Sequence, residues 1–156
     1  MTAKRKNQFD LLTEDPNNYL IKYHHLLDDP AGMKYETIDG PYWYYSERYK
    51  EWLLVELGDK FDGASGTVDI HSNSWFFHDV ICNDACWFSG KKVSNWMASH
   101  VICDILNRES VYYRKHKKWK LYIKRKLEAP FWGLFTFLFG GQKIKKENGW
   151  VFIGEK

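Results

Sequence analysis

The chain of 156 residues is 44% apolar and 28% charged and carries a formal charge of +3, enough apolar material for one compact domain over residues 1–156 without disulfide staples. An odd set of three cysteines (Cys82, Cys86, Cys103) and an opening stretch, MTAKRKNQFDLL, with no apolar core argue against a secreted disulfide framework and for synthesis in the cytoplasm without a signal peptide. The longest apolar run, Ala129–Gly141, is shorter than the ~20 residues that span a bilayer, although it can still touch a membrane surface.

In chain order, Tyr19, Leu20, Tyr23, Leu26 and Leu27 have helical spacing and predict a turn or two of helix ending at Asp29-Pro30. MKYETI, YWYYS and EWLLVEL are rich in aromatic and branched residues and are separated by DGP and SERYK, which predicts strands of a small antiparallel sheet. GDKFDGASG reads as a loop, and TVDI as one more short strand. From Ser72 the period becomes helical. In SNSWFFHDVICNDACW, Ser72 or Ser74 is the candidate N-cap, and Trp75, His78, Cys82 and Cys86 fall on neighbouring rows. FSGKK is a break, after which VSNWMASHVICDILNR predicts a second helix. A third is expected from about Val111 toward Leu127, interrupted at Pro130 and resumed through Phe139. GGQ ends it, and WVFI returns as a final strand. The expected fold is α+β, with a small aromatic-rich antiparallel sheet packed against a C-terminal bundle of about three helices.

Charge divides along the chain. Residues 1–104 hold ten Lys/Arg and sixteen Asp/Glu, a balance of −6, and residues 105–156 hold thirteen and four, a balance of +9. Lys117, Lys118, Lys120, Lys124 and Arg125, interleaved with Trp119, Tyr122 and Ile123, are candidates for binding an anionic partner: nucleic acid, a membrane surface or an acidic protein. The same pattern also fits a solvated helix face with its rings turned inward. In APFWGLFTFLFGG the apolar side chains surround the helix, so Trp132, Phe135 and Phe137 are candidate interface residues for self-association or partner docking.

The chemistry-bearing stretch is residues 59–87, where FDGAS precedes the adjacent pair His78-Asp79. Neighbouring helical residues point about 100° apart, so the two are expected to face different partners. In one reading His78 and Asp79 hydrogen-bond the FDGAS backbone and tie sheet to helix. In the other they are a reactive centre. His78, Cys82 and Cys86 on one helix and His100 and Cys103 on the next have spacings from which facing helices can assemble zinc ligands. CxxxC lacks the tight-turn spacing of structural zinc knuckles, however, and cysteines on apolar helix faces also serve as small buried residues.

Asp62, Ala64 and Ser65 in the loop, His78 and Asp79 at the helix start, and the final LFGG resemble the phage-associated domain-of-unknown-function family 1353 over about residues 50–141. The chain departs from that pattern at Gly66-Thr67, where the family often has Pro, at Cys82, where it has Tyr, and at Ala98-Ser99, where it has Ala-Asp. Asp104 is the nearest replacement acid. The His-Asp pair is also similar to that of secreted phospholipases, in which His activates water, the following Asp holds calcium with a glycine-rich loop, and a distant Asp orients the His. By that analogy Asp62, Gly63, Ser65 and Gly66 are loop partners, and His78, Asp79 and Asp104 the catalytic set. The cofactor expectation is none, with calcium or zinc as the metals those residues suggest. The resemblance implies a bacteriophage-type accessory or virion-associated protein, made in the host cytoplasm and acting through contacts with other phage or host proteins. The alternatives are a small His-Asp-centred hydrolase acting on lipid or cell-envelope bonds during infection or lysis, and a nucleic-acid-binding module.

Overall fold

The computed structural model of the chain describes Pro16, residues 21–62 and residues 72–151. The elements are β1 (Tyr23–His25), β2 (Tyr35–Thr37), β3 (Tyr42–Ser46), β4 (Glu51–Val55), β5 (Lys60–Phe61), α1 (Ser74–Asp84), α2 (Asn95–Lys115), α3 (Trp119–Phe139) and α4 (Gln142–Glu147). This is the expected α+β architecture, in which two small antiparallel sheets with aromatic clusters precede the C-terminal helices. One sheet has the order β1-β2-β5, with Tyr23 opposite Thr37 and Tyr35 opposite Phe61. The other is the β3-β4 hairpin, with Tyr42 opposite Val55 and Ser46 opposite Glu51. Alternation along β3 buries Tyr42, Tyr44 and Ser46 while Trp43 and Tyr45 stay half-buried, the pattern of a strand with one face on a core.

The helix expected around Tyr23, Leu26 and Leu27 is instead strand β1; the part at Tyr19 and Leu20 lies outside the described residues. All three β1 side chains are exposed, so no apolar stripe is available to hold a helix there. Pairing with β2 satisfies the backbone, and the Tyr23 ring meets Tyr35 edge-on at 5.2 Å. The expected loop GDKFDGASG begins with a short strand, β5. TVDI lies outside the described residues.

Helix α1 starts after Asn73, which makes no side-chain cap. Asn73 Oδ1 accepts instead from the Ile21 N–H at 2.9 Å, and Ser72 Oγ accepts from the Ser74 N–H at 3.1 Å. The helix ends where Ala85 takes φ 56°, so Cys86 leaves the row of His78 and Cys82 and pairs with Lys92 in an isolated bridge. Helix α2 is capped by Ser94 Oγ, which accepts from Met97 N–H at 3.3 Å. Its Asn95 and Trp96 N–H groups donate to the carbonyls of Gly149 and Trp150. The described start of WVFI is therefore a cap for α2 rather than a strand.

The break before α3 comes later than expected. Helix α2 runs past Val111 to Lys115, and the turn is made by Lys117 at φ 57°. Helix α3 then passes through Pro130 without interruption. Pro130 and Lys126 are both on the exposed side, where water can meet the Lys126 carbonyl that a proline N–H cannot. Against α2, α3 buries Arg125, Ala129 and Thr136. Gly133 lies so close to Cys103 that a Cβ would stand 3.3 Å from the cysteine Cβ. Helix α1 touches α2, α4, β4 and β5, and so joins the sheets to the helices. Among the described residues no helix is long and apolar enough to cross a membrane.

Candidate functional site

A cavity of about 410 Å³ opens between α1, the C-terminal half of α3 and the start of α4. From α1 it receives Trp75, His78, Asp79, Cys82 and Asn83; Asp62 enters from the end of β5, and Trp132, Phe135 and Phe139 from α3. Two features of the fold bring these together. Pairing of β5 with β2 fixes the strand that ends beside Asp62. The Gly140-Gly141 bend lets α3 and α4 close over α1: Gly141 has φ 64°, and a Cβ there would overlap Asn95 Oδ1, while one at Gly140 would lie 3.4 Å from His78 Cε1. Asn95 is itself held by donating from Nδ2 to the Phe137 carbonyl at 2.6 Å.

His78 is buried at 5% exposure. Its Nδ1 lies 3.5 Å from Asp79 Oδ1. The expectation that the two face different partners is corrected here: both polar tips reach past the helix surface and turn toward each other at the cavity wall. Asp62 lines the same cavity wall and its charge reinforces the rise of Asp79, so a residue of the FDGAS loop stands beside the pair. Cys82 Sγ lies 3.5 Å from Nε2 and 3.9 Å from Nδ1 of His78. Those near-equal distances place the sulfur beside the ring, not in line with either nitrogen.

The protonation states follow from these neighbours. Burial works against a charged His78, but Cys82 and Asp79 outweigh it and push the imidazole up to about 10. Burial pushes Asp79 up to about 6, opposed by His78 and reinforced by Asp62. At neutral pH the pair is therefore an imidazolium beside a carboxylate. A histidine that keeps its proton is an acid or a fixed positive charge, and the basic member of the pair is Asp79.

Asp104 does not join them. Its carboxylate accepts from Arg48 Nε at 2.8 Å and Nη2 at 2.7 Å, a two-pronged pair that fixes it elsewhere on α2. Gly63, Ser65 and Gly66 lie outside the described residues. His100 and Cys103, considered for zinc together with His78, Cys82 and Cys86, have partners of their own. His100 Nδ1 meets the Tyr49 hydroxyl, with burial holding its imidazole below the usual range, and Cys103 accepts from Asn107. Among the described residues no three His, Cys, Asp or Glu are grouped to hold a metal ion.

Of the candidate anion-binding residues, Lys117, Lys118, Lys120 and Lys124 are exposed, whereas Arg125 is buried. Its Nε lies 2.6 Å from Glu109 Oε2 and its Nη1 2.5 Å from Glu128 Oε2, so it serves the α2–α3 contact and leaves the surface set. Trp132, Phe135 and Phe137 are half-buried, whereas Phe131, Leu134, Leu138 and Phe139 of the same stretch are exposed. The i,i+4 spacing that put Cys82 on the row of His78 in the sequence holds in the structure, where the sulfur stands beside the imidazole. Sequence reasoning passed over Asn83 and Lys143 at the cavity, for which no local signal exists; Lys143 Nζ donates to the Asn83 carbonyl. In comparison with known proteins, the chain matches no family model, no curated protein and no solved structure.

Proposed function

We propose that the protein is a small hydrolase whose cavity holds an acyl ester or amide and whose reactive pair is His78-Asp79. The observation that carries this reading is the convergence of His78, Asp79 and Asp62 on one cavity with an aromatic wall. Structural tie points alone do not require a void of about 410 Å³ beside them, whereas a substrate site does. Asp79 Oδ2 is buried and has no hydrogen-bond partner among the described residues, an oxygen left to take a proton from water.

In the step assigned to the pair, water adds to the acyl carbon as its proton passes to Asp79. The C–O or C–N bond then breaks as His78 gives its ring proton to the leaving oxygen or nitrogen. A carboxylic acid and an alcohol or amine result, and solvent returns the proton from Asp79 to His78. Asp62 carries the second carboxylate, which raises Asp79 toward a useful basicity. Trp75, Trp132, Phe135 and Phe139 give the acyl part an apolar wall, which suits lipid or cell-envelope bonds. A phage-type role during infection or lysis, implied by the FDGAS and His-Asp resemblance, is part of this proposal.

The test is hydrolysis of acyl esters of graded chain length and of purified cell-envelope material, with Asp79→Asn, Asp62→Asn and His78→Gln beside the parent chain. Turnover is expected to rise as pH passes about 6 and to fall again near 10, where Asp79 and His78 titrate. Asp79→Asn should lower kcat by roughly 100-fold or more, measured below the variant's unfolding midpoint, which itself falls because the buried His78 loses its counter-charge. If no substrate turns over, or if all three variants keep parental activity, the hydrolase reading falls and an accessory protein working through contacts replaces it.

A further inference from the structure

We infer that α3 docks flat on an anionic membrane surface. The helix has two apolar sides. One is packed on α2 through Tyr122, Arg125, Ala129, Trp132, Gly133 and Thr136. The other, about 180° around the helix, consists of Trp119, Ile123, Leu127, Phe131, Leu134 and Leu138, all exposed; Leu127 is 68% and Phe131 59% in solvent. Steps of four, four, four, three and four keep these six on one stripe. At 1.5 Å per residue the stripe is about 28 Å long. Scattered exposed apolar residues need no explanation, but a continuous row along a 21-residue helix does.

Charge decides what covers it. Lys120 and Lys124 border the stripe on one edge and Lys126 on the other, and Lys117 sits at its N-terminal end, all exposed. Glu128, the single acidic residue of α3, is occupied by Arg125 and Lys124. A second copy laid stripe to stripe would bring lysine rows together with no carboxylate between them. Duplex nucleic acid would meet the lysines but leave the apolar row in water. An anionic lipid surface satisfies both: the rings and aliphatic side chains enter the acyl boundary, and the lysine stems reach back to the headgroups. Because the opposite side of α3 is committed to α2, the helix can lie in the surface but not cross it.

This inference stands apart from the hydrolase reading, since it uses none of the cavity's charged groups. It adds a geometric consequence. Trp132, Phe135 and Phe139, which line the cavity from α3, lie about 90° or more around the helix from the middle of the stripe, so docking leaves the cavity to the side of the lipid contact and open to solvent.

The test is co-sedimentation of the full chain with phosphatidylcholine vesicles containing either no anionic lipid or 30 mol% phosphatidylserine, about, at low and at physiological salt. Binding is expected only with the anionic lipid and should weaken with salt. The triple change Leu127→Ser, Phe131→Ser, Leu134→Ser should lower partitioning by roughly 100-fold or more. Neutralising Lys120 and Lys124 to Gln should lower it about five-fold per lysine. All five positions are exposed, and circular dichroism of each variant checks that folding is intact. Failure to bind anionic vesicles at low salt overturns the inference, as does binding that the serine variant keeps. A stripe-dependent dimer seen by light scattering, without vesicle binding, overturns it in favour of a second copy.

Discussion

At the scale of single residues, the positions that matter most are those where the backbone comes too close for a side chain. Gly141 combines φ 64° with direct contact on Asn95, the residue that also holds the Phe137 carbonyl. Gly149 has φ 89° but open space around it. The two therefore separate conformational strain from steric overlap. Gly149→Ala should cost about 1–2 kcal/mol, the left-handed backbone penalty alone. Gly141→Ala should cost about 2–4 kcal/mol, because Asn95 or the α3–α4 bend must also shift. Chemical denaturation of both variants measures the difference, and equal losses would mean that the Asn95 contact yields without cost. In the sequence these are merely two glycines. Only the contact on Asn95 distinguishes them.

At the scale of elements, the pairing of α2 with α3 is held by an ion network inside an otherwise apolar contact. Arg125 reaches Glu109 and Glu128, and Ser72 Oγ donates to Glu109 Oε1 at 2.6 Å. Burial raises Glu109 to about 7 against the pull of Arg125, which shows how little solvent reaches it. Arg125→Met removes the cation and leaves the carboxylate buried, an expected loss of about 3–5 kcal/mol. Adding Glu109→Gln removes the orphaned charge and should restore most of that loss. A double-mutant cycle from urea unfolding reports the coupling; two simply additive losses would mean that the pair contributes only through packing. Read as sequence, Arg125 is one cation in a run of eight between Arg114 and Lys126. Its position on the α3 row with Ala129 and Thr136 sets it apart, and that row was not legible while the helix was expected to break at Pro130.

At the scale of the whole molecule, the buried titratable groups make stability depend on pH in a stated direction. His78 is raised to about 10 in the folded chain, while an unfolded histidine releases its proton near its ordinary value of about 6.5. A raised group stabilises fully below its unfolded value and loses that contribution as pH climbs to the folded value. The window is therefore pH 6.5 to about 10. Asp79 is also raised, to about 6, and has given up most of its share by neutrality, while Glu109, raised to about 7, loses the last of its share just above it. Tm should thus fall between pH 7 and pH 10, at a slope of up to roughly 1 kcal/mol per pH unit. In His78→Asn the decline should flatten. Calorimetry across this range checks it; an unchanged slope in the variant would show that His78 does not hold its proton in the folded state.

The sequence by itself determined the α+β class, the strands β2, β3 and β4, and the helical character of α1, α2 and α3, because alternation and helical spacing are written in neighbouring residues. The aromatic and branched runs YWYYS and EWLLVEL between turn residues are such a pattern, as is the helical spacing in VSNWMASHVICDILNR. It also marked His78-Asp79 and Asp62 as the place to look. Tertiary structure decided the rest. β1 exists because β2 offers it an edge, and the α2–α3 turn falls at Lys117 with no glycine to announce it. Pro130 is carried within a helix whose solvent side can spare the hydrogen bond. Asp104 went to Arg48, and Asp62 met Asp79, because residues distant along the chain became neighbours only once α1 was packed between the sheets and the other helices. Local patterns encode which face of an element is buried; which polar group stands opposite which is fixed by packing between elements, and no spacing along the chain records it.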